Sequence, residues 1–338
     1  MTPNRLSGGH GGRRRRSVRV AAAAVAALAI AAAVSAFHQP LRELDPSAEE
    51  ASSEVAGSEI IGIRTFEAPA GLRIHADLEY GVADDGTLLT LDICRPAADD
   101  AIGDALPTVV SVHGGSWARG DKANSDWRKV CLWLASEGFV AASVNYRLVP
   151  DARFPAQVDD VSAAVAWLRE AEQVERYGID PAGIAAFGGS AGGHLASLLG
   201  TLGDGPLDAG SRVAAVVELS GPVGLASAEL DADGASEWLR GIVGEFLDCE
   251  PGAVDVDCPQ AMDASATAHV DPSDPPFFIG HAEAEVVPVG QSERLAATLD
   301  ASAVPVELTV VPGDAHSIGI LDGPLRERVA VFLHAQLG

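Results

Sequence analysis

A serine at position 190 lies within Gly188–Gly192, a run that matches the pattern G-x-S-x-G. A strand-like run, Gly183–Phe187, precedes it, and a helix-like run, His194–Leu199, follows it. A serine on so sharp a strand-to-helix turn is strained and exposed, which suits a nucleophile that a base can reach. Because the chain has 36 glycines, the pattern gains meaning only from partners elsewhere in the sequence.

A second glycine-rich motif, His113–Trp117, reads H-G-G-S-W and follows the strand-like run Pro107–Val112. Acyl transfer passes through a tetrahedral oxyanion, which needs N–H donors already aimed at the developing charge. Consecutive glycines let the backbone approach a substrate closely and turn its amides inward. We therefore predict an oxyanion hole formed by the amides of Gly114, Gly115 and Ala191. The alternative is an ordinary glycine turn after a strand.

The general base for this serine must come from one of nine histidines. His316 lies in the loop directly after the strand-like run Val306–Val311, where a chain order of serine, acid and histidine places the base. His113 belongs to the oxyanion motif, and His194 follows the serine on the helix, so we predict structural roles for both. His281 closes the strand that should carry the acid, which makes it a poor candidate for the base.

The acid that orients the base should follow the penultimate strand, which we assign to Pro275–His281. The loop after it holds two carboxylates, and we predict Glu285 as the acid, with Glu283 as second choice. A carboxylate in this place holds the imidazole tautomer and stabilises the imidazolium that forms during the reaction. The alternative is that both are solvated loop glutamates.

Together these motifs resemble the α/β-hydrolase esterases of the bacterial carboxylesterase group, close to the hormone-sensitive-lipase and feruloyl-esterase-like branches. The resemblance covers most of the chain after the N-terminal region and rests on six stretches: His113–Trp117, Ser143–Leu148, Phe154–Gln157, Gly188–His194, Val287–Ser292 and Gly313–His316. It implies an α/β-hydrolase fold, a Ser-His-acid triad acting on esters, and no cofactor.

Two positions depart from the family's pattern. The family usually has Asp four residues before the V-P proline, where this chain has Ala284 between two glutamates. The oxyanion motif reads H-G-G-S-W rather than H-G-G-G, which favours the feruloyl-esterase-like or dipeptidase-like branch over the lipase branch.

The elements that position these residues alternate between strand and helix patterns, which predicts an α/β fold with a mostly parallel sheet covered on both faces. The predicted strands are Leu88–Cys94, Thr108–Val112, Phe139–Asn145, Gly183–Phe187, Ala214–Leu219, Pro276–Gly280 and Val306–Val311. The predicted helices are Asp126–Glu137, Gln157–Glu175, Gly192–Leu199, Gln291–Leu299 and Pro324–Leu337.

The segment 221–275 interrupts this alternation, and its length predicts a cap or lid over the site. It contains a helical apolar stripe: Trp238, Leu239, Ile242, Val243, Phe246 and Leu247. We expect most of these side chains to pack on the body of the domain and some to shape the pocket, because a lid must exclude water and admit substrate. Trp117, beside the oxyanion loop, is a predicted pocket wall.

Residues 1–36 match a signal peptide, with a basic stretch at Arg13–Arg16, an alanine-rich apolar stretch at Val20–Val34, and a predicted cleavage after Ala36. An uncleaved membrane anchor is the alternative, and the twin arginines permit Tat export. Residues 37–60 are acidic and small, which indicates a linker, and residues 61–338 form the predicted catalytic domain. We therefore predict that the protein is secreted or located in the cell envelope.

Composition and charge limit the classes of partner. The chain has 338 residues, 47% of them apolar, which suffices for one large domain. Its formal charge is −25, and loss of six leader arginines would leave 17 basic against 48 acidic side chains, or −31. This charge argues against nucleic acid or an anionic membrane as partner. We expect a small-molecule ester substrate, and membrane contact only if the leader is retained; the oligomeric state is unknown.

All four cysteines follow the leader, and export to an oxidising compartment would permit disulfides. Cys249 and Cys258 share an irregular segment rich in Pro, Gly and Asp, so we predict a bridge between them. Cys94 ends a strand and Cys131 lies on a helix; they could pair, but two buried free thiols are expected at least as strongly.

The sequence therefore predicts an exported serine hydrolase that cleaves carboxylic esters through Ser190, His316 and Glu285. Amide or peptide hydrolysis with the same machinery is one alternative. A catalytically inactive hydrolase fold used as a binding module is another, and the irregular acid loop is the feature that supports it.

Overall fold

A computed structural model describes residues 62–97, 105–250 and 257–338 of the chain. The predicted signal peptide and the whole of the predicted linker lie outside these ranges, so both remain predictions.

Within the described ranges, eight strands form a single sheet in the order β1-β2-β4-β3-β5-β6-β7-β8. The strands are β1 Leu72–Val82, β2 Leu88–Pro96, β3 Leu106–Val112, β4 Val140–Val144, β5 Ile179–Gly189, β6 Val216–Leu219, β7 Phe277–Ala282 and β8 Val306–Val311. Strand β2 pairs antiparallel with β1 and β4, and all other pairs are parallel. The predicted mostly parallel sheet is confirmed, and its carboxyl edge is where such folds place their sites.

From β3 onward, helices connect the successive strands, and they cover both faces of the sheet. They are α1 Ser125–Ser136, α2 Ala156–Leu168, α3 Ala171–Tyr177, α4 Ala191–Thr201, α5 Ser227–Ala232, α6 Glu237–Leu247, α7 Gln260–Asp263, α8 Val289–Ala301 and α9 Gly323–Leu337. The single helix predicted over Gln157–Glu175 is wrong, because the chain breaks into α2 and α3 at Arg169. The Arg169 guanidinium donates to the carbonyls of Pro181 and Leu207, which link this break to neighbouring loops.

Two hydrophobic clusters lie on opposite faces of the sheet. Val110 and Val112 of β3 belong to the cluster that includes α2, α4 and α8, whereas Val109 belongs to the cluster that includes α1 and α9. This alternation follows from the two-residue period of a strand. Because both faces are covered, the sheet interior reads as a nearly continuous apolar run, as parallel sheets require.

Two disulfides link elements of this body. Cys249 bonds to Cys258 after α6, as predicted. Cys94 at the end of β2 bonds to Cys131 on α1, with the two Cα atoms 5.7 Å apart. The expectation that free thiols were at least as favoured here is therefore wrong. Strand β2 and helix α1 are adjacent, which brings the cysteines within bonding distance, and this adjacency is not visible in the sequence.

Segment 221–275 contains helices α5 to α7, placed between β6 and β7. Leu239, Val243 and Phe246 of α6 are buried, whereas Trp238 of the predicted stripe is 49% exposed. Most of the stripe thus packs on the body of the domain, as expected. Among the helices of the described ranges, none has both the length and the apolarity needed to cross a membrane.

Candidate active site

Ser190 lies at the carboxyl edge of the sheet, between the last residue of β5 and the first residue of α4. Its backbone has φ 57° and ψ −126°, a strained conformation for a residue with a side chain. Its N–H donates to the Leu219 carbonyl of β6 at 2.8 Å, which holds the turn against the sheet. A Cβ at Gly188 would overlap the Gly192 carbonyl, so the glycine pattern is a steric requirement of this turn.

The oxyanion motif lies directly beside this serine. A Cβ at Gly114 would be 2.7 Å from the Gly189 carbonyl oxygen and 3.1 Å from the Ser190 Cβ. Gly115 has φ 129°, which a side chain would disfavour. Within the described ranges, the N–H groups of Gly114, Gly115 and Ala191 donate to no protein acceptor. Three unpaired amides next to a serine form a site that can accept a developing negative charge.

His113 holds this loop in place through its ring and its carbonyl. The ring stacks on Tyr146 with centroids 4.4 Å apart, and the Tyr146 hydroxyl donates to the His113 carbonyl at 2.9 Å. Burial lowers the pKa of His113, although its bond to the Gly114 carbonyl opposes this effect. A neutral buried ring in these contacts fits the structural role predicted for it.

The far end of the same loop is held by a buried ion pair that the sequence analysis did not identify. Lys122 Nζ lies 3.0 Å from the Asp92 carboxylate and 2.7 Å from that of Asp77. The Lys122 N–H also donates to the Asn145 side chain at 2.7 Å. The ion pair joins β2 to the loop, so its partners are far apart in sequence and no local pattern reveals it.

Glu285 and His316 meet above the ends of β7 and β8. His316 Nδ1 contacts Glu285 Oε2, and the Glu285 side chain is inaccessible to solvent. Burial by itself would raise the pKa of Glu285, but its contacts with His281 and His316 lower that pKa to about 2. Glu285 is therefore a carboxylate at neutral pH. Glu283, by contrast, is exposed, and its backbone N–H extends the pairing with β8.

The histidine loop is packed against the serine turn. A Cβ at Gly189, next to Ser190, would overlap Ser317, which follows His316. The Ser317 N–H donates to the Ser220 hydroxyl at 3.0 Å, which links this loop to the end of β6. With Nδ1 in contact with Glu285, Nε2 is the ring nitrogen of His316 that makes no hydrogen bond to the described residues. The structure thus gathers the predicted serine, histidine, glutamate and amides at one edge.

His281 was set aside in the sequence analysis, but it contacts this group. It is fully buried on β7, and its Nε2 lies 3.0 Å from Glu285 Oε1. The available signal was its spacing, since a histidine ending a strand four residues before the acid is placed to reach it.

Trp117 is fully buried, and its contacts connect the oxyanion loop to α6. Its ring stacks on Phe246 with centroids 4.2 Å apart, and its Nε1–H donates to His194 Nδ1 at 3.2 Å. Burial lowers the pKa of His194 to about 4, so this ring is a neutral acceptor. Its Nε2 faces the Ala264 carbonyl at 2.7 Å. These contacts fit a structural His194, while Trp117 as a pocket wall stays a prediction.

Metal ligation has no support in the parts of the chain with a described structure. No group of three or more His, Cys, Asp or Glu side chains there is arranged to hold an ion.

Comparison with known proteins identifies the family of this chain. Residues 91–299 match the family model BD-FAE. The chain is 32% identical to "Esterase LipC" of Mycobacterium tuberculosis over 243 residues, which are 68% of this chain and 58% of LipC. It is 29% identical to "Probable carboxylic ester hydrolase LipM" of the same organism over 263 residues, which are 75% of this chain and 58% of LipM. The chain thus spans just over half the length of these relatives.

A solved structure shares the fold over most of both chains. The "truncated form of carbohydrate esterase from gut microbiota" superposes with a TM-score of 0.65 at 26% identity, covering 80% of this chain and 99% of that one. The chain therefore belongs to the BD-FAE family, a feruloyl-esterase-like branch of the α/β hydrolases.

Proposed function

We propose that the protein is an exported serine hydrolase that cleaves carboxylic esters through an acyl-enzyme intermediate. The observation that carries this proposal is the contact between His316 and the buried Glu285 carboxylate in loops packed beside Ser190. A histidine held by a carboxylate next to a strained serine is the arrangement that activates a hydroxyl nucleophile.

In the first half-reaction, Ser190 Oγ attacks the ester carbonyl carbon while His316 Nε2 takes the hydroxyl proton. The carbonyl oxygen becomes an oxyanion, which accepts hydrogen bonds from the Gly114, Gly115 and Ala191 amides. Glu285 stabilises the imidazolium that forms, because its charge lies against Nδ1. The tetrahedral intermediate collapses, the C–O bond to the alcohol breaks, and His316 gives its proton to the departing alkoxide.

In the second half-reaction, water replaces the alcohol. His316 takes a proton from this water, which attacks the acyl-serine carbonyl in the same oxyanion hole. The second intermediate collapses with cleavage of the bond to Ser190 Oγ, which regains its proton from His316. The products are a carboxylic acid and the free enzyme, and every proton is accounted for by this one imidazole.

The substrates we propose are small-molecule esters. The relatives are named as esterases or a carboxylic ester hydrolase, and the structural neighbour is named as a carbohydrate esterase. Helix α6 is joined to the oxyanion loop through Phe246 and Trp117, which supports a cap formed by segment 221–275. A cap so close to the oxyanion loop would limit the acyl group that fits.

The first test is hydrolysis of p-nitrophenyl acetate, butyrate and octanoate, and of an acetylated oligosaccharide, with a fluorophosphonate probe in parallel. We expect ester turnover and probe labelling at Ser190, and the acyl-length profile gives the depth of the pocket. Labelling without ester turnover would replace ester by amide or peptide substrates. Neither signal from a folded protein would favour the binding-module alternative instead.

Export is the second part of the proposal. Two disulfides in the body of the protein are consistent with an oxidising compartment, and the N-terminal sequence has the form of a cleavable leader. Mass spectrometry of the protein from its native host should find Phe37 at the N-terminus. An intact N-terminal segment would support an uncleaved anchor.

A further inference from the structure

A buried group of polar side chains lies beside Glu285. It joins Glu218 near the end of β6, His281 on β7 and Ser292 on α8. All three are inaccessible to solvent. None of them takes part in the proposed reaction steps, although two are ionisable and one of these touches the triad acid.

The hydrogen-bond partners of His281 define its protons. Its Nε2 lies 2.9 Å from the Val287 carbonyl and 3.0 Å from Glu285 Oε1, and because both are acceptors, Nε2 must carry a hydrogen. Its Nδ1 lies 2.7 Å from the Ser292 hydroxyl, which donates its one hydrogen to Glu218 Oε2 at 3.4 Å. With the Ser292 hydrogen directed at Glu218, the Ser292 oxygen accepts from His281, and Nδ1 then carries a hydrogen as well.

Glu285 depends on this ring for one of its two oxygens. Oε2 faces His316, whereas Oε1 is buried and has no directed hydrogen bond within the described ranges. The Nε2–H of His281 points at the Val287 carbonyl. Oε1 therefore lies close to the ring without accepting a linear hydrogen bond, and its interaction with the ring is electrostatic. A buried carboxylate oxygen in this situation needs a nearby cation.

We propose that His281 is a buried imidazolium that holds the Glu285 carboxylate from the side opposite His316, and so acts as a positioning residue for the triad. This inference rests on the proposed role of Glu285 as the triad acid. The charged ring fixes one carboxylate oxygen and leaves the other directed at His316. It also offsets the negative charge that burial would otherwise disfavour.

The groups around His281 support a positive charge on it. They are Glu218 from β6, Ser292 from α8, and Glu285 and the Val287 carbonyl from the loop after β7. Burial lowers the pKa of His281, but Glu285 and Glu218 outweigh this and raise it. Burial raises the pKa of Glu218 to about 7, so above pH 7 Glu218 is mainly a carboxylate that accepts the Ser292 hydrogen and adds negative charge near His281.

The first experiment compares pH profiles of kcat/KM for the wild type and His281→Gln, which keeps a donor near the Nε2 position but removes the charge. Loss of the cation makes the surroundings of His316 more negative and makes Glu285 easier to protonate. Both effects move the acid limb to higher pH, by about one unit. We expect kcat to fall about 10–100-fold through misplacement of Glu285, with KM nearly unchanged. A lower kcat with an unmoved acid limb would reduce His281 to a packing residue and overturn the proposal.

Ser292→Ala provides a milder variant. It removes the acceptor for Nδ1–H while leaving the contacts of Nε2 in place, so the ring should lose its second proton more easily. We expect a shift of the acid limb in the same direction and a smaller loss of kcat than in His281→Gln. Thr298→Ala is the matched control, because among the described residues this hydroxyl on the same helix bonds only to the Arg294 carbonyl. A pH profile for Ser292→Ala identical to that of the control would count against the proposal.

The deciding measurement does not need turnover. Nitrogen-15 NMR of the full chain at pH 7–8 should show one imidazole signal with both nitrogens protonated, absent in His281→Gln and titrating at lower pH in Glu285→Gln. A singly protonated His281 at pH 7 overturns the inference even if the enzyme is an active esterase. An inactive wild type with the imidazolium signal present would instead refute the proposed function, while the charge and its link to Glu285 would stand.

Discussion

The two halves of the candidate site differ in the chemical groups that form them. The nucleophile half consists of Ser190 and three backbone amides, placed by glycines and by the ends of β3 and β5. The base half consists of the side chains of His316, Glu285 and His281 on loops after β7 and β8. The geometry of the first half depends on glycines where a side chain would overlap the backbone, and that of the second half depends on contacts between charged side chains. Substitutions that add atoms should therefore damage the first, and substitutions that only remove charge should damage the second.

The largest effect is expected at the residue where the two halves meet. Ser190→Ala removes the nucleophile and should lower kcat about 10⁴–10⁶-fold, because serine and histidine act as one unit. The fold should be unchanged, as judged by circular dichroism and thermal unfolding. Turnover that survives this change would mean that the serine turn is not the catalytic element.

The next largest effect tests the charge-defined half. Glu285→Gln keeps the size of the side chain but removes the charge beside His316, and should lower kcat about 10³–10⁴-fold. Glu283→Gln is the matched control, since Glu283 is exposed, and should stay within about twofold of the wild type. Steady-state kinetics on a p-nitrophenyl ester compares them. The reverse ranking would assign the acid to Glu283.

A third change tests the sterically defined half through stability. The added Cβ in Gly192→Ala would overlap the Val112 carbonyl and lie 2.7 Å from that of His113, which should cost about 1–3 kcal/mol in free energy of unfolding. Gly241→Ala on α6 is the control, because nothing lies within 4 Å of its added Cβ. Chemical denaturation should show that this control is as stable as the wild type or slightly more stable. Equal stability of both variants would remove the steric argument.

The smallest effect concerns pH and the buried group behind the acid. Glu218 has a pKa raised by burial from 4.5 to about 7, so the unfolded chain releases this proton first as pH rises. The stability it contributes is complete below pH 4.5 and is lost progressively up to about pH 7. The glutamine in Glu218→Gln cannot titrate. The Tm of this variant should therefore rise relative to that of the wild type as the pH increases from 5 to 7.5. A constant difference in Tm across this range would show that Glu218 is ionised throughout.

The halves also differ in how far the sequence predicts them. Ser190, Gly114 and Gly115 lie in short motifs whose local geometry is encoded by glycines, so sequence reasoning identifies them directly. Glu285 was chosen over Glu283 from position alone, whereas its burial and its contact with His316 depend on the fold. Only Ala284 separates the two glutamates, and a loop sequence pattern does not show which of two residues so close together is buried.

Contacts between distant segments were the part that the sequence did not reveal. His281 gains its role from Glu218 and Ser292, which lie on two other elements. Lys122 likewise forms an ion pair with Asp92, which lies on a strand far from it in sequence. Strand alternation predicts which residues point inward, but it does not predict which inward residues meet, because that depends on strand order. The order of this sheet, with β4 between β2 and β3, becomes known only from the structure.

The bond between Cys94 and Cys131 has a practical consequence for anyone who makes this protein. It closes a loop of 37 residues, which by chain entropy is worth about 4 kcal/mol, against a total of about 5–15 kcal/mol for a typical domain. It also joins α1 to β2, the strand whose Asp92 holds the oxyanion loop. Material prepared in a reducing bacterial cytosol would therefore be less stable around the predicted oxyanion loop. Titration of free thiols in each batch shows whether weak activity is a property of the enzyme or results from disulfides that have not formed.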